Sequence, residues 1–256
     1  MSLKISNNIV GDGQPIFFIH GVGSRKYSWN QVIEELKNNY KCITYDLRGH
    51  GDTPLPNGND FILDDLVDDL ENLRLNLKLE KIHIVGHSLG GQIGPAYARK
   101  FPDYVKSLTL LSTAAFRTDA EKQKILDLIN NIKTLGINEV VTKLITRWYT
   151  DSFINSNPKI VDERILMLKE MNIDTLCRVF WIYATCTMEN WIHEINLPSL
   201  VMTGENDFSC NPRLNKLITE AMPNARLEIL KDLRHSITTE KPNLVGKKIN
   251  IFLKSI

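Results

Sequence analysis

Short apolar segments alternate with longer helical patterns along most of this 256-residue chain. Such alternation is typical of β-α units, in which each helix returns the chain so that successive strands run parallel. The predicted strands span residues 16–19, 41–45, 81–85, 108–111, 200–203 and 227–230, with a weaker antiparallel edge strand at 3–6. The pattern therefore predicts an α/β protein with a mainly parallel sheet.

One long segment interrupts this alternation. Residues 112–197 contain no clear strand pattern, and their apolar periodicity predicts helices at 118–135, 138–149, 159–171 and 174–191. Strand patterns resume at Leu200. The sequence therefore predicts a core domain of residues 1–115 and 197–256, with a helical insertion at residues 116–196.

Composition limits the classes of partner. The chain has 31 Lys and Arg residues against 30 Asp and Glu residues, so its net charge of +1 creates no general attraction for nucleic acid or anionic lipid. The longest apolar runs, such as residues 179–184, are too short to span a bilayer. The four cysteines form no C-x-x-C pair, and no signal peptide is recognisable. These features predict a cytoplasmic protein without nucleic-acid or membrane partners.

The strongest local motif is Gly86-His87-Ser88-Leu89-Gly90, which follows a predicted strand and opens a predicted helix. Strand, sharp turn and helix is the setting of a nucleophile elbow, in which a serine Oγ projects above the sheet. The flanking residues must then be glycine, because a Cβ would collide with neighbouring backbone. A plain glycine-rich turn is the alternative, and the strand-helix context favours the elbow.

A serine hydroxyl is a weak nucleophile that needs a base, and the base needs an orienting acid. Asp207 follows the predicted strand at 200–203, and His235 follows the last predicted strand. Both residues therefore belong at the same sheet edge as Ser88, in the chain order nucleophile, acid, base that accompanies this type of elbow. The sequence predicts a catalytic triad of Ser88, Asp207 and His235.

Serine hydrolysis also needs donors for the oxyanion, and two backbone amides are suitably placed. The N–H of Leu89 follows the nucleophile directly, and the N–H of Val22 lies in the loop after the strand at 16–19. We predict that these two amides form the oxyanion hole.

A metal site is not expected, because the chain has no H-E-x-x-H motif and no other compact ligand spacing. One acidic cluster lies on the amphipathic helix predicted at 61–77, where its members are Asp64, Asp65, Asp68 and Asp69. A solvated helix face explains such a cluster better than a bound ion does.

Taken together, these motifs resemble the α/β-hydrolase superfamily. The matching segments are His20-Gly21-Val22-Gly23, Asp46-Leu47-Arg48-Gly49-His50-Gly51, the elbow with Gly91, Gly204-Glu205-Asn206-Asp207, and His235. The resemblance implies a mainly parallel eight-stranded sheet flanked by helices, with an all-helical cap between strands 6 and 7. It also implies the triad and oxyanion-hole roles given above, and we expect no cofactor.

A narrower resemblance is to 3-oxoadipate enol-lactonases, through residues 147–153 and the following Asn157-Pro158. It implies a serine hydrolase that cleaves a small carboxylic ester or lactone through an acyl-enzyme. Four residues of the insertion are candidates for the substrate pocket. An apolar part of the substrate would contact Trp148 and Trp181, for which packing within the cap is the alternative. A substrate carboxylate would bind Arg147 and Arg178, for which solvation at the surface is the alternative.

Other activities of the same fold stay open at the sequence level. They include hydrolysis of a carbon–carbon bond and cofactor-free perhydrolysis. A hydrolase-fold receptor or scaffold, which binds a small molecule and signals through a partner, is an alternative of another class. The sequence does not distinguish a monomer from a homodimer.

Overall fold

The computed structural model describes residues 3–56, 58 and 60–256. In this part of the chain, seven strands form a single sheet in the order β1-β3-β2-β4-β5-β6-β7. The strands are β1 (Asn7–Val10), β2 (Gln14–Ile19), β3 (Tyr40–Tyr45), β4 (Ile82–His87), β5 (Val105–Leu111), β6 (Ser199–Gly204) and β7 (Ala225–Leu230). All adjacent pairs are parallel except β1 with β3. The α/β class and the mainly parallel sheet are confirmed.

The start of the sheet differs from the prediction. The antiparallel edge strand spans Asn7–Val10 rather than residues 3–6, and Asn7 lies opposite Tyr45. Ser6 instead bonds to loops, because its carbonyl accepts from the Asp46 N–H and its N–H donates to Thr53 Oγ1. One strand therefore precedes β2, and the described sheet has seven strands where the resemblance implied eight.

Helices cover both faces of the sheet. They are α1 (Asn30–Ile33), α2 (Leu63–Asn76), α3 (Gly90–Lys100), α4 (Asp119–Leu135), α5 (Ile137–Trp148), α6 (Asp151–Ser156), α7 (Pro158–Glu170), α8 (Ile173–Thr185), α9 (Pro212–Ala221), α10 (Ile237–Glu240) and α11 (Pro242–Leu253). Side chains alternate along each strand. Phe17 therefore packs in the cluster that contains α2, α3 and α9, and Phe18 packs in the cluster that contains α1 and α11.

Along the chain, helices α4 to α8 all follow β5 and precede β6, which are the fifth and sixth of the seven strands. The four predicted helices of this segment are present as α4, α5, α7 and α8. Helix α6 was missed; it begins after Thr150, whose Oγ1 accepts from the Phe153 N–H at 3.2 Å. Helix α8 ends at Thr185 rather than residue 191, because short 3₁₀ turns follow it.

The division into a core domain and an insertion at residues 116–196 remains a prediction.

No helix in the described part of the chain has both the length and the apolar character needed to cross a bilayer.

Candidate active site

Ser88 lies in the turn between β4, which ends at His87, and α3, which begins at Gly90. Its φ angle is +55°, a left-handed conformation that is uncommon for a residue with a Cβ. The Ser88 N–H donates to the Leu111 carbonyl at 2.9 Å, which anchors the turn to the end of β5. Such local strain clusters at functional sites, where the surrounding structure maintains it.

The glycines beside Ser88 are required by close packing. A Cβ on Gly86 would lie 2.1 Å from the Gly90 carbonyl oxygen, and a Cβ on Gly90 would lie 2.1 Å from the Ile19 carbonyl oxygen. Both clashes are with backbone atoms, which cannot rotate away. The elbow therefore brings β4, α3 and the end of β2 into direct contact.

Asp207 and His235 are brought together at the same sheet edge, in the loops after β6 and β7. His235 Nδ1 lies 2.9 Å from Asp207 Oδ2. The other carboxylate oxygen of Asp207 accepts from the N–H groups of Ser209 and Cys210, each at 2.8 Å. Asp207 is thus fixed on one side by backbone donors and presents its second oxygen to the imidazole.

The two groups change each other's protonation. Burial alone would raise the pKa of the Asp207 carboxyl, but the charge and hydrogen bond of His235 and the backbone donors lower it below its usual 3.8. Burial alone would lower the pKa of His235, but the Asp207 carboxylate raises it above the usual 6.5. The pair therefore favours an ionised Asp207 and a His235 that readily accepts a proton.

The loop after β2 passes directly over the elbow. A Cβ on Gly21 would lie 2.9 Å from the Ser88 Cβ, so only a glycine permits this approach. In the described part of the chain, the backbone N–H groups of Val22 and Leu89 donate to no protein acceptor. Two unpaired amide donors therefore flank Ser88, as an oxyanion hole requires.

Ser88 and His235 line one cavity of about 250 Å³ between the sheet edge and the helices of residues 119–185. Arg147 and Trp148, two of the four candidate pocket residues, also line this cavity. Trp181 does not: it is 41% exposed and belongs to a separate surface groove. Arg178 also lies outside this cavity, where it forms an ion pair with Asp60 and approaches the Trp181 ring. Both residues lie on the outward side of α8.

The cavity wall carries an excess of positive charge. Its four cations form no ion pair with Asp or Glu in the described part of the chain; they are Arg117, Lys124, Arg147 and Arg164. Glu121, the one carboxylate in the wall, pairs with Arg213 at 2.7 Å. The wall therefore favours an anionic ligand.

Sequence reasoning missed three of these cations, Arg117, Lys124 and Arg164. Lys124 is exposed, whereas the two arginines are shielded from bulk solvent to some degree. Arg117 is only 8% exposed; its guanidinium lies 4.0 Å from the Tyr183 ring centroid and donates to the Tyr183 carbonyl. Arg164 is partly buried and contacts the loop after β2. Neither belongs to a motif, since each reaches the site only through the orientation of its helix or loop.

Cys210 is a further neighbour that sequence reasoning missed. Its thiol lies 2.7 Å from the Tyr183 hydroxyl, and its Sγ lies within 4.8 Å of ligand atoms of Asp207 and His235. These are metal-binding atom types, but both Asp207 and His235 are already occupied by the hydrogen bonds described above. In the sequence, the feature that could have indicated Cys210 as a neighbour of the site is its position three residues after Asp207.

Comparison with known proteins agrees with this architecture. A sequence family described as "alpha/beta hydrolase fold" matches residues 14–134. Lipase 3 of Moraxella sp. is 30% identical over 232 residues, which cover 87% of this chain and 72% of the lipase.

Two relatives from Acinetobacter baylyi are more distant but cover more of the chain. (E)-2-((N-methylformamido)methylene)succinate hydrolase is 26% identical over 99% of this chain and 98% of its own length. 3-Oxoadipate enol-lactonase 2 is 24% identical over 95% of this chain and 90% of its own length.

The fold has a close counterpart among solved structures. The enol-lactonase from Burkholderia xenovorans superposes with a TM-score of 0.90 at 21% identity, over 98% of this chain and 96% of that one. The family match and the lipase relative confirm the resemblance to the α/β-hydrolase superfamily that the motifs indicated. A serine elbow, a buried Asp–His pair at the same sheet edge and a lipase relative at 30% identity together show that this chain belongs to the α/β-hydrolase family.

Proposed function

We propose that this protein is a serine hydrolase that cleaves a small carboxylic ester or lactone. The observation that carries the proposal is the hydrogen bond between the buried Asp207 and His235, whose imidazole lines the same cavity as Ser88 in its left-handed elbow. Ser88 is the nucleophile, His235 the base and Asp207 the acid that orients the imidazole. The helical residues 116–196 form the cap over this site.

In the first half-reaction, Ser88 Oγ attacks the substrate carbonyl while His235 takes the hydroxyl proton. The carbonyl oxygen becomes an oxyanion, which accepts hydrogen bonds from the N–H groups of Val22 and Leu89. When the tetrahedral intermediate collapses, the bond to the leaving oxygen breaks and His235 returns the proton to that oxygen. The product of this step is an acyl-serine; a lactone opens without losing a fragment.

In the second half-reaction, water attacks the acyl-serine. His235 removes a proton from the water, and the same two amides stabilise the second tetrahedral intermediate. Collapse releases the carboxylic acid and restores the Ser88 hydroxyl. All steps use groups of this chain and one water molecule, so the mechanism needs no cofactor.

The proposed substrate carries a carboxylate of its own. Among the residues that the structure describes, the cavity wall has four cations that form no ion pair with Asp or Glu and one carboxylate that is already paired. A charge balance of this kind is costly around a neutral ligand and favourable around an anion. Two relatives have names that specify acids, a succinate derivative and 3-oxoadipate enol-lactone, and both are similar to this chain over at least 95% of its length.

Steady-state kinetics test the proposal. We expect wild-type protein to hydrolyse activated short-chain esters or small lactones, and Ser88→Ala to lower kcat by about 10⁴- to 10⁶-fold, as removal of a triad member does elsewhere. A vinylogous diketone and peroxyacid formation serve as competing assays. Ester hydrolysis at Ser88 would be rejected if Ser88→Ala keeps more than about a tenth of wild-type turnover. It would also be rejected if wild-type protein cleaves the diketone but no ester or lactone.

A further inference from the structure

Arg164 connects the helical segment to the loop that passes over Ser88. It lies on α7, more than 140 residues after the loop in sequence. Its Nη2 donates to the Val22 carbonyl at 2.9 Å, and its Nη1 donates to the Gly23 carbonyl. One guanidinium thus bonds to two consecutive carbonyls of the proposed oxyanion loop.

The peptide unit that follows Val22 is held at both of its ends. The carbonyl oxygen of this unit, which belongs to Val22, accepts from Arg164. The N–H of the unit, which belongs to Gly23, donates to His50 Nε2 at 3.2 Å. His50 is able to accept because burial lowers its pKa to about 4, which keeps the imidazole neutral. This peptide plane is therefore fixed between a residue of α7 and a residue of the loop after β3.

The peptide unit that precedes Val22 carries the proposed oxyanion donor, and the core holds it. The Gly21 carbonyl accepts from the Ser24 N–H at 3.2 Å and from His20 Nδ1 at 2.9 Å. The direction of the His20 bond follows from its other nitrogen, since Nε2 accepts from the Leu47 N–H. Free rotation about Val22 is thus blocked on one side by the core and on the other by Arg164.

Arg164 has no competing acidic partner. In the described part of the chain it forms no ion pair with Asp or Glu, and its guanidinium lies 5.0 Å from the Trp148 ring centroid. Its hydrogen bonds go to the two loop carbonyls and to Met167 Sδ, a weak acceptor on the same helix. Hydrogen bonds from a charged donor are about twice as strong as those between neutral groups, so this contact is a strong restraint on the loop.

We propose that Arg164 is a positioning residue: it fixes the Val22 N–H in the orientation that stabilises the oxyanion, so the helical segment completes the oxyanion hole of the core. This inference rests on the proposed hydrolase function. It assigns α7 a role in transition-state stabilisation, in addition to enclosing the substrate. The role predicts an effect on kcat more than on KM, because the oxyanion forms only during the reaction.

The test measures each variant against two kinds of inhibitor. A trifluoromethyl ketone adds to Ser88 and places the hemiketal oxygen in the oxyanion hole, while an uncharged amide analogue of the same shape occupies the cavity without reacting. We expect Arg164→Ala to lower kcat for a neutral ester by about 10- to 100-fold, somewhat less than the loss caused by deleting an oxyanion donor. Affinity for the ketone should fall by the same factor, and affinity for the amide should not change.

Controls separate positioning from folding and from substrate binding. Arg164→Lys keeps a charged donor and should recover part of the lost kcat, as should adding methylguanidine to Arg164→Ala. Lys169→Ala, an exposed change on the same helix, should behave as wild type. The melting temperature Tm of every variant is measured as well. The proposal would be overturned if the loss of kcat is proportional to the decrease in Tm and neither Arg164→Lys nor methylguanidine recovers it.

The remaining outcomes are also decisive. If Arg164→Ala raises KM for a carboxylate-bearing ester alone and leaves kcat and ketone affinity unchanged, Arg164 binds the substrate anion and the proposal is wrong. If the variant equals wild type throughout, the proposal is also wrong. If wild-type protein neither turns over esters nor binds the ketone, the proposed function itself fails, and this inference fails with it.

Discussion

At the residue scale, the pKa of His235 depends on the charge of Asp207. A general base must be neutral to accept a proton, so hydrolysis is expected to fall as the pH drops through the pKa of His235. The Asp207 carboxylate raises that pKa above its usual 6.5. The acidic limb of the kcat/KM profile should therefore have its midpoint above pH 6.5.

Asp207→Asn tests this dependence. It removes the negative charge but leaves the imidazole buried, so the pKa of His235 should fall and the acidic limb should move to lower pH. We also expect kcat to fall by about 10⁴-fold, because an amide favours the wrong imidazole tautomer. A pH-rate profile of both proteins measures the two effects together.

Glu205→Gln provides the matched control, since Glu205 lies in the same loop and bonds to the Asp232 N–H instead of to His235. It should leave both the midpoint and kcat close to wild type. If Glu205→Gln is the more damaging change, Asp207 is not the orienting acid.

At the element scale, the strands followed from sequence most directly where the chain is buried on both faces. Residues 16–19 are fully buried and were predicted within the bounds of β2. The first strand was misplaced because its pattern is half-exposed and its position depends on pairing with β3. The acidic face of α2 was also only partly solvated: Asp69 is 4% exposed and pairs with Arg48 at 2.7 Å.

The elbow glycines give a prediction for this scale. Gly90→Ala places a Cβ 2.1 Å from the Ile19 carbonyl oxygen and should destabilise the fold by about 3 kcal/mol, which corresponds to a Tm decrease of roughly 10 °C. Gly94→Ala on the same helix meets two side-chain methyl groups, that of Ile84 at 3.0 Å and that of Leu108 at 3.8 Å, and the gain in helix propensity of about 1 kcal/mol offsets the closer contact.

Differential scanning calorimetry of the two variants measures this difference. Equal Tm values for Gly90→Ala and Gly94→Ala would contradict the close packing of the elbow against β2.

At the scale of the whole molecule, the sequence predicted which residues meet at the sheet edge but not what surrounds them. Ser88, Asp207 and His235 follow strand ends, and parallel strands bring such ends together. Arg117 and Arg164 reach the cavity because of how the segment between β5 and β6 lies on the core, which no local pattern records. The same cause places Trp181 and Arg178 outside the cavity, although the sequence predicted that both lie on one helix.

The charge of the cavity wall leads to a prediction about substrates. Within a series of esters of equal length, one with a terminal carboxylate should have a kcat/KM at least about 10-fold above that of its neutral counterpart, since about 1.4 kcal/mol of added attraction gives that factor. Raising ionic strength should reduce the advantage, because Arg147 and Lys124 are exposed at the wall.

The neutral ester is the internal control for the salt titration, since its kcat/KM should change little. A preference for the neutral ester would contradict an anionic substrate while leaving the serine mechanism intact.

The most direct test of the account is intact-mass analysis after treatment with a fluorophosphonate, with wild type beside Ser88→Ala. The account predicts one adduct per wild-type chain, mapped to Ser88 and absent from the variant, because only an activated serine reacts in this way. No adduct on folded wild-type protein, or an adduct that persists in Ser88→Ala, would contradict the assignment of Ser88 as nucleophile and would favour a small-molecule receptor built on the hydrolase fold.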